Sequence, residues 1–405
     1  MIAVTGHETA RAPATASRRD LTRRDFLAAA GVGLIACARS APTFSQTSES
    51  SPGESLLYVG TYTEKTKSEG IYILRMNSRT GQLRRVGSMS AGVNPSFLAV
   101  HPNGRTLYAV NEVEKYDDKP GGAVRSFSIA GDGTLTSLNT QSSGGAGPCY
   151  VSVDNAGRVA MVANYDAGSV GILPIQADGS LAPGQVVPHA GRGPNADRQS
   201  GPHAHCILTD PSNRYALSAD LGADRVFLYR LENGSLQHVE GGDAVMRPGS
   251  GPRHIAFHPT LPLVFVANEL DSTVATLRLD AQRGALSLEN ALSTIPSGTS
   301  GDNYPADIHI APSGRTLYVS NRGHNSIAVF SVAASTGAVT REQLISTGGD
   351  WPRNFALDPS GRWLLVANER SDTIVVFSRD QNGRIAATTH RIEIPSPVCL
   401  RFSSR

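Results

Sequence analysis

The stretch Gly251–Val274, GPRHIAFHPTLPLVFVANELDSTV, decides the fold because it has five near relatives in the same chain. They are NPSFLAVHPNGRTLYAVNE from Asn94, GPCYVSVDNAGRVAMVANY from Gly147, GPHAHCILTDPSNRYALSADL from Gly201, YPADIHIAPSGRTLYVSNR from Tyr304 and WPRNFALDPSGRWLLVANE from Trp351. Each reads as a short alternating strand, a turn built on Pro or Asn with Gly, and a second strand rich in Val, Leu and Tyr. The turn residues His101, Asp154, Asp210, His258, Ala311 and Asp358 lie 53, 56, 48, 53 and 47 positions apart. A period of about 50 marks one stacked supersecondary unit per repeat.

Two further strands complete the unit. After Gly251 they are TVATLRLD and LSLENALS, joined by AQRGA, and comparable turns occur as GDGT from Gly131 and STGA from Ser335. Four antiparallel strands in about 50 residues make a propeller blade. Near the start, LLYVGTYTE from Leu56 matches the second strand and GIYILRMN from Gly70 the third, with no first strand before them. The last residues supply it as SPVCLRFSS from Ser396. The sequence therefore predicts an all-β, seven-bladed propeller with four antiparallel strands per blade. Residues 51–405 form its single domain, and pairing of the N- and C-terminal strands closes the ring and removes its edges.

Residues 1–50 differ in composition and read as a twin-arginine export signal and linker. Arg23 and Arg24 precede Phe26 and Leu27, and the apolar run that follows, about 12 residues, is too short to span a bilayer as a helix. Two processing routes are open. LIAC at Leu34–Cys37 resembles a lipoprotein box that would attach the protein to a membrane through Cys37, whereas Ala36-Cys37-Ala38 resembles an ordinary cleavage site. Either way the expected location is periplasmic or membrane-anchored.

Of 37 basic and 35 acidic residues, five and three lie in residues 1–37, so the remainder carries 32 of each. A neutral chain argues against a nucleic-acid partner, whose phosphates call for a basic surface. Cys149, Cys206 and Cys399 show no CxxC spacing and read as buried free thiols.

What the repeat leaves over points to a site. The first strand of a blade starts at the mouth to which the second returns. The leading positions, five before each turn, hold Ser96, Cys149, His205, Arg253, Ala306 and Arg353, with Val398 from the closing strand. The exit positions hold Tyr62, Glu112, Tyr165, Leu221, Glu269, Arg322 and Glu369. Blade packing asks for none of the His, Arg and Glu side chains here. Guanidiniums bind anions through planar paired contacts, and His and Glu move protons. The same groups could instead pair with one another at a wet channel mouth.

At these residues the chain resembles the propeller lactonase family, which contains bacterial 6-phosphogluconolactonases of the propeller type and fungal carboxymuconate cyclases. The resemblance covers residues 56–405 and is carried by YVGTYT at Tyr58, GPHAH at Gly201, GPRH at Gly251, NYPADIHIAPSGRTLYVSNRGHNSI at Asn303 and WPRNFALDPSGRWLLVAN at Trp351. It implies a catalytic His-Arg-Glu-Arg set at His205, Arg253, Glu269 and Arg322. His203 competes with His205, because that copy is two residues longer and the insertion can fall on either side. His203, Arg353, Tyr62, Glu112, Tyr165, Glu369 and His324 are expected to contact the substrate.

The expected activity is hydrolysis of a sugar-acid or other carboxylated lactone by a monomer. His205 would serve as base, Arg253 and Arg322 as anion anchors, and Glu269 would orient the histidine or protonate the leaving alkoxide. A muconate-type cycloisomerase and a non-enzymatic binding propeller using Tyr62, Tyr165 or Trp351 are the alternatives. The chain has no GxSxG elbow, HExxH, Walker loop or strand-linked GxGxxG, so no cofactor is expected. No metal is expected either, since Arg side chains stand between Glu112, Glu269 and Glu369.

Overall fold

The inner two strands of each repeat meet in a tight turn whose residues are the ones the repeat keeps. Gly157, Gly314 and Gly361 sit there at φ 68°, 70° and 68°, a left-handed backbone that favours glycine, and Asn213 takes the same conformation at φ 59° in the copy from Gly201. In the copy from Gly147 the Asp154 carboxylate accepts the Val159 amide at 2.9 Å, closing the turn from the side chain.

In the computed structural model, which describes residues 53–403, these hairpins grow into seven antiparallel sheets. The blade built on the opening stretch runs, inner to outer, Pro252–Phe257, Leu263–Asn268, Thr273–Asp280 and Ala285–Ser293. Two blades are elaborated. A hairpin of Lys115–Tyr116 and Lys119–Pro120 follows Asn111 in one, and Ala244–Val245 adds a fifth strand to the blade that begins at Ala204. Ring closure is as the sequence predicts: Glu54–Thr61 pairs antiparallel with Pro397–Phe402, with Leu57 opposite Phe402 and Val59 opposite Leu400. The expectations for residues 1–50, including Arg23, Arg24 and Cys37, lie outside the described residues.

Polar residues that recur along the repeat have a packing reason. Tyr58, Tyr108 and Tyr318 are buried, and their hydroxyls donate to the carbonyls of Gly133, Gly179 and Gly383 in the next blade at 2.9, 3.0 and 2.6 Å. The Asn111 and Asn164 amides donate to Ala91 and Ser143 carbonyls, in the connections arriving from the preceding blade, at 2.9 and 3.1 Å. Tyr and Asn thus latch neighbouring blades while satisfying buried backbone groups. Cys149, Cys206 and Cys399 are free and buried, as expected.

Leu400 is fully buried between Leu57, Val59 and the seventh blade's Leu365 and Ala367. Leu400→Ala is therefore expected to lower unfolding free energy by about 2–5 kcal/mol, as a core leucine in any other blade would. Denaturant midpoints check this; a near-zero change would mean that the closing strand does not seal the ring.

Candidate active site

Where the inner strands begin, their pairing slips by one residue. Pro148 opposes Asn164 but Tyr150 opposes Ala163, and the same shift occurs at Ala204/Cys206, Pro252/His254 and Pro352/Asn354. The residues passed over are Cys149, His205, Arg253 and Arg353, and the closing strand repeats the slip at Val398. A β-bulge of this kind re-aims a side chain. The register thereby separates the two rival histidines. His205 is the bulged, buried residue, whereas His203 precedes the strand, stacks on Tyr165 with ring centroids 4.5 Å apart, and bonds through Nδ1 to the Tyr165 carbonyl at 2.9 Å.

The bulged residues meet at one mouth. Ser96, Glu112, Cys149, Arg253, His254 and Arg353, with Phe97 and Val398, line a narrow polar pocket there. His205 adjoins it, with Nδ1 3.6 Å from Cys149 Sγ and its ring 5.3 Å from that of His254. Burial, then the charge of Arg253, keeps its imidazole well below the ordinary value of 6.5 and hence neutral.

Glu269 forms the hub of one half of the site. Its carboxylate lies 3.0 Å from Arg253 Nε and accepts Arg322 Nη2 at 2.6 Å and Arg198 Nη2 at 2.7 Å. Burial favours its protonated form, but Arg322, Arg253 and Arg198 outweigh it and hold the group well below the ordinary 4.5. Burial, with Arg322 and Arg353 nearby, pulls Arg253 down to about 10, so it stays charged at neutral pH. Arg253 Nη1 donates to the Ala306 carbonyl and lies 3.2 Å from His254 Nε2, while Nη2 makes no hydrogen bond among the described residues. That leaves one amino group of the guanidinium for an anion.

The other half centres on Tyr62. Its hydroxyl accepts Arg353 Nη2 at 2.6 Å and lies 3.0 and 3.1 Å from the two Glu112 oxygens, and Ser96 Oγ also donates to Glu112. Glu369 faces Arg353 Nε at 4.0 Å. Beneath the mouth, Asp307 accepts His254 Nδ1 at 2.8 Å and His309 Nε2 at 3.0 Å. Trp351 sits at the rim at φ 65°, with the Arg370 and Arg322 guanidiniums 3.4 and 5.3 Å from its ring centroid.

The structure thus brings together ten of the eleven expected residues. His324 is the exception: its Nδ1 bonds Ser326 Oγ at 2.9 Å within its own hairpin, and among the described residues no hydrogen bond or ring contact joins it to the cluster. Glu269 does not orient His205, because its oxygens are taken by guanidiniums, and a carboxylate held ionised this firmly has no proton to donate. Arg198 was not anticipated. It comes from the connection between Pro188 and Ala204, which belongs to no repeat phrase, and the only sequence signal is an arginine in that long insert. Asp307 was missed as well, since the slip in its blade, between Pro305 and Ile308, spans two residues. Among the described residues, no three His, Cys, Asp or Glu side chains converge as a metal site requires.

Residues 56–402 match the family model for the seven-bladed β-propeller lactonases. The chain belongs to this family. The lactonase relatives indicate that it is a lactone-hydrolysing enzyme. A Bacillus subtilis 6-phosphogluconolactonase is 38% identical over 85% of this chain and 97% of its own. The Pseudomonas aeruginosa periplasmic gluconolactonase structure is 35% identical, with a TM-score of 0.79 over 87% of this chain and 99% of its own. A Lactobacillus plantarum protein structure is 36% identical with a TM-score of 0.80 over 86% of this chain.

Glu269→Gln would leave Arg253 and Arg322 buried without their counter-charge. At pH 7 it is expected to cost about 3–5 kcal/mol of stability. Because the folded-state carboxyl lies below its ordinary 4.5, the wild-type advantage is full above that pH and shrinks as the pH falls through and below it. Denaturation of both proteins at pH 7 and pH 3 measures this, and an unchanged difference would show that the charge of Glu269 is not what holds the cluster.

Proposed function

We propose that this lactonase opens a sugar-acid lactone to its free acid, with His205 as general base. The observation that carries the proposal is a neutral imidazole beside two buried guanidiniums, each with one Nη that makes no hydrogen bond among the described residues. The names of the curated and structural relatives support a sugar lactone as substrate.

The contacts fit one tautomer of His205. Cys149 Sγ lies within reach of the Ala204 and His205 carbonyls, at 3.8 and 3.6 Å, so its hydrogen can be given away while the sulfur accepts Nδ1–H. Nε2, which makes no hydrogen bond among the described residues, then carries the lone pair that takes a proton from water. Arg253 and Arg322 hold the substrate's polar groups and stabilise the oxyanion as water attacks the carbonyl. Glu269 acts as a positioning residue, keeping these guanidiniums in register. Arg198, Arg353, Tyr62, Tyr165 and His203 shape the rim around the bound ring.

We further propose that residues 1–50 direct export by the twin-arginine route and that residues 51–405 act as one domain. The phosphorylated lactone of cytoplasmic sugar metabolism is then the less accessible substrate, and an unphosphorylated sugar-acid lactone the natural one. The mass of the mature protein distinguishes lipidation at Cys37 from cleavage beside it.

Proton release in a pH-stat on glucono-, galactono- and 6-phosphoglucono-lactones tests the reading. His205→Asn and Arg253→Ala are each expected to lower kcat/KM by a factor of about 10²–10⁴. The acidic limb of the wild-type pH profile should lie below 6.5, since the base is already unprotonated above its depressed value. Release equal to the spontaneous rate for every lactone, with folded protein, would favour a cyclase or a binding propeller instead.

A further inference from the structure

Opening a lactone needs two proton transfers, one from water and one to the departing ring oxygen. His205 accounts for the first. The second was expected of Glu269, and its three guanidiniums exclude it from that task. We infer that Glu112 protonates the departing ring oxygen, an assignment that rests on the lactonase reading above.

Glu112 stands at the exit of the second blade's inner hairpin and lines the cavity shared with Cys149, Arg253 and Arg353. Its carboxyl is oriented rather than neutralised. Ser96 Oγ donates to Oε2, the Tyr62 hydroxyl lies 3.0 Å from Oε1 and 3.1 Å from Oε2, and the nearby Arg353 spends its Nη2 on Tyr62. No guanidinium bonds Glu112 directly among the described residues. Asn94 holds its backbone, with Nδ2 3.2 Å from the Glu112 carbonyl.

The charged and titratable groups facing it are Arg353, Arg253, Tyr62 and Cys149, with Glu369 beyond Arg353. Burial raises the proton affinity of Glu112, and Arg353, Ser96, Tyr62 and Arg253 offset this only in part. The mouth therefore holds two carboxyls driven in opposite directions, one fixed as a carboxylate and the other able to keep a proton.

The step balances. His205 Nε2 removes a proton from water as the water oxygen bonds to the carbonyl carbon. Collapse of the tetrahedral intermediate breaks the bond from that carbon to the ring oxygen, which takes the Glu112 proton and becomes a hydroxyl. The new carboxylic acid loses its proton to solvent, and the proton on His205 returns to Glu112 through solvent. One proton is released per turnover.

The test is the pH profile of wild type, Glu112→Gln and Ser96→Ala on whichever lactone the pH-stat shows to be opened fastest, corrected for spontaneous opening. Glu112→Gln is expected to lower kcat by about 10²–10⁴ with KM changed less than about threefold, and to remove the basic limb of the profile. Ser96→Ala removes a hydrogen bond that favours the ionised carboxyl, so its basic limb should move to higher pH; it decides the matter alone if the Gln variant does not fold. A basic limb retained in Glu112→Gln, or unmoved in Ser96→Ala, overturns the inference while leaving the lactonase reading intact. A wild type that opens no lactone removes both.

Discussion

The carboxylate of Glu269, shared among Arg253, Arg322 and Arg198, is the interaction on which the site depends. Guanidiniums as deeply buried as Arg253 and Arg322 lose most of their hydration, and only a close counter-charge offsets that cost. A single shared carboxylate neutralises less than the charge it gathers. The mouth consequently keeps a positive excess, with one Nη of Arg253 and one of Arg322 making no hydrogen bond among the described residues, which suits an anionic or strongly polarised substrate and a developing oxyanion. The same arrangement removes Glu269 from proton transfer, and its Arg253 adds to the burial that depresses the basicity of His205.

The scaffold makes this cluster possible by holding the backbone rigid where side chains diverge. Tyr and Asn latches between blades use up the polar groups that recur, and ring closure removes the last strand edge. Bulges at the start of successive inner strands then turn Cys149, His205, Arg253, Arg353 and Val398 to a common mouth. Each blade offers one such position and one exit position, so chemistry varies while packing does not. The connection between Pro188 and Ala204 departs from this plan and reaches across to supply Arg198.

Two carboxyls at the mouth illustrate how environment assigns roles. Glu269 and Glu112 occupy the same repeat position in different blades, yet one is surrounded by guanidiniums and the other by hydroxyls. Burial pushes both toward the protonated form, and the partners decide which one follows it.

The fold was legible in the chain because a repeat of about 50 residues states its strands, turns and closure several times over, and each copy corrects the reading of the others. The mouth was legible for the same reason: residues the repeat does not need stand out against those it does, so ten of the eleven expected side chains meet there. The sequence could not show how they meet. Alignment left His203 a rival to His205 until the strand register placed the bulge, and the placement of Glu269 among guanidiniums required a partner from an insert that no repeat predicts. His324 sits two positions past Arg322 in sequence but turns into its own hairpin. Periodic backbone interactions are local and recur, so sequence alone determines them; pairings between single side chains of different blades are long-range and occur once, so only the tertiary structure decides them.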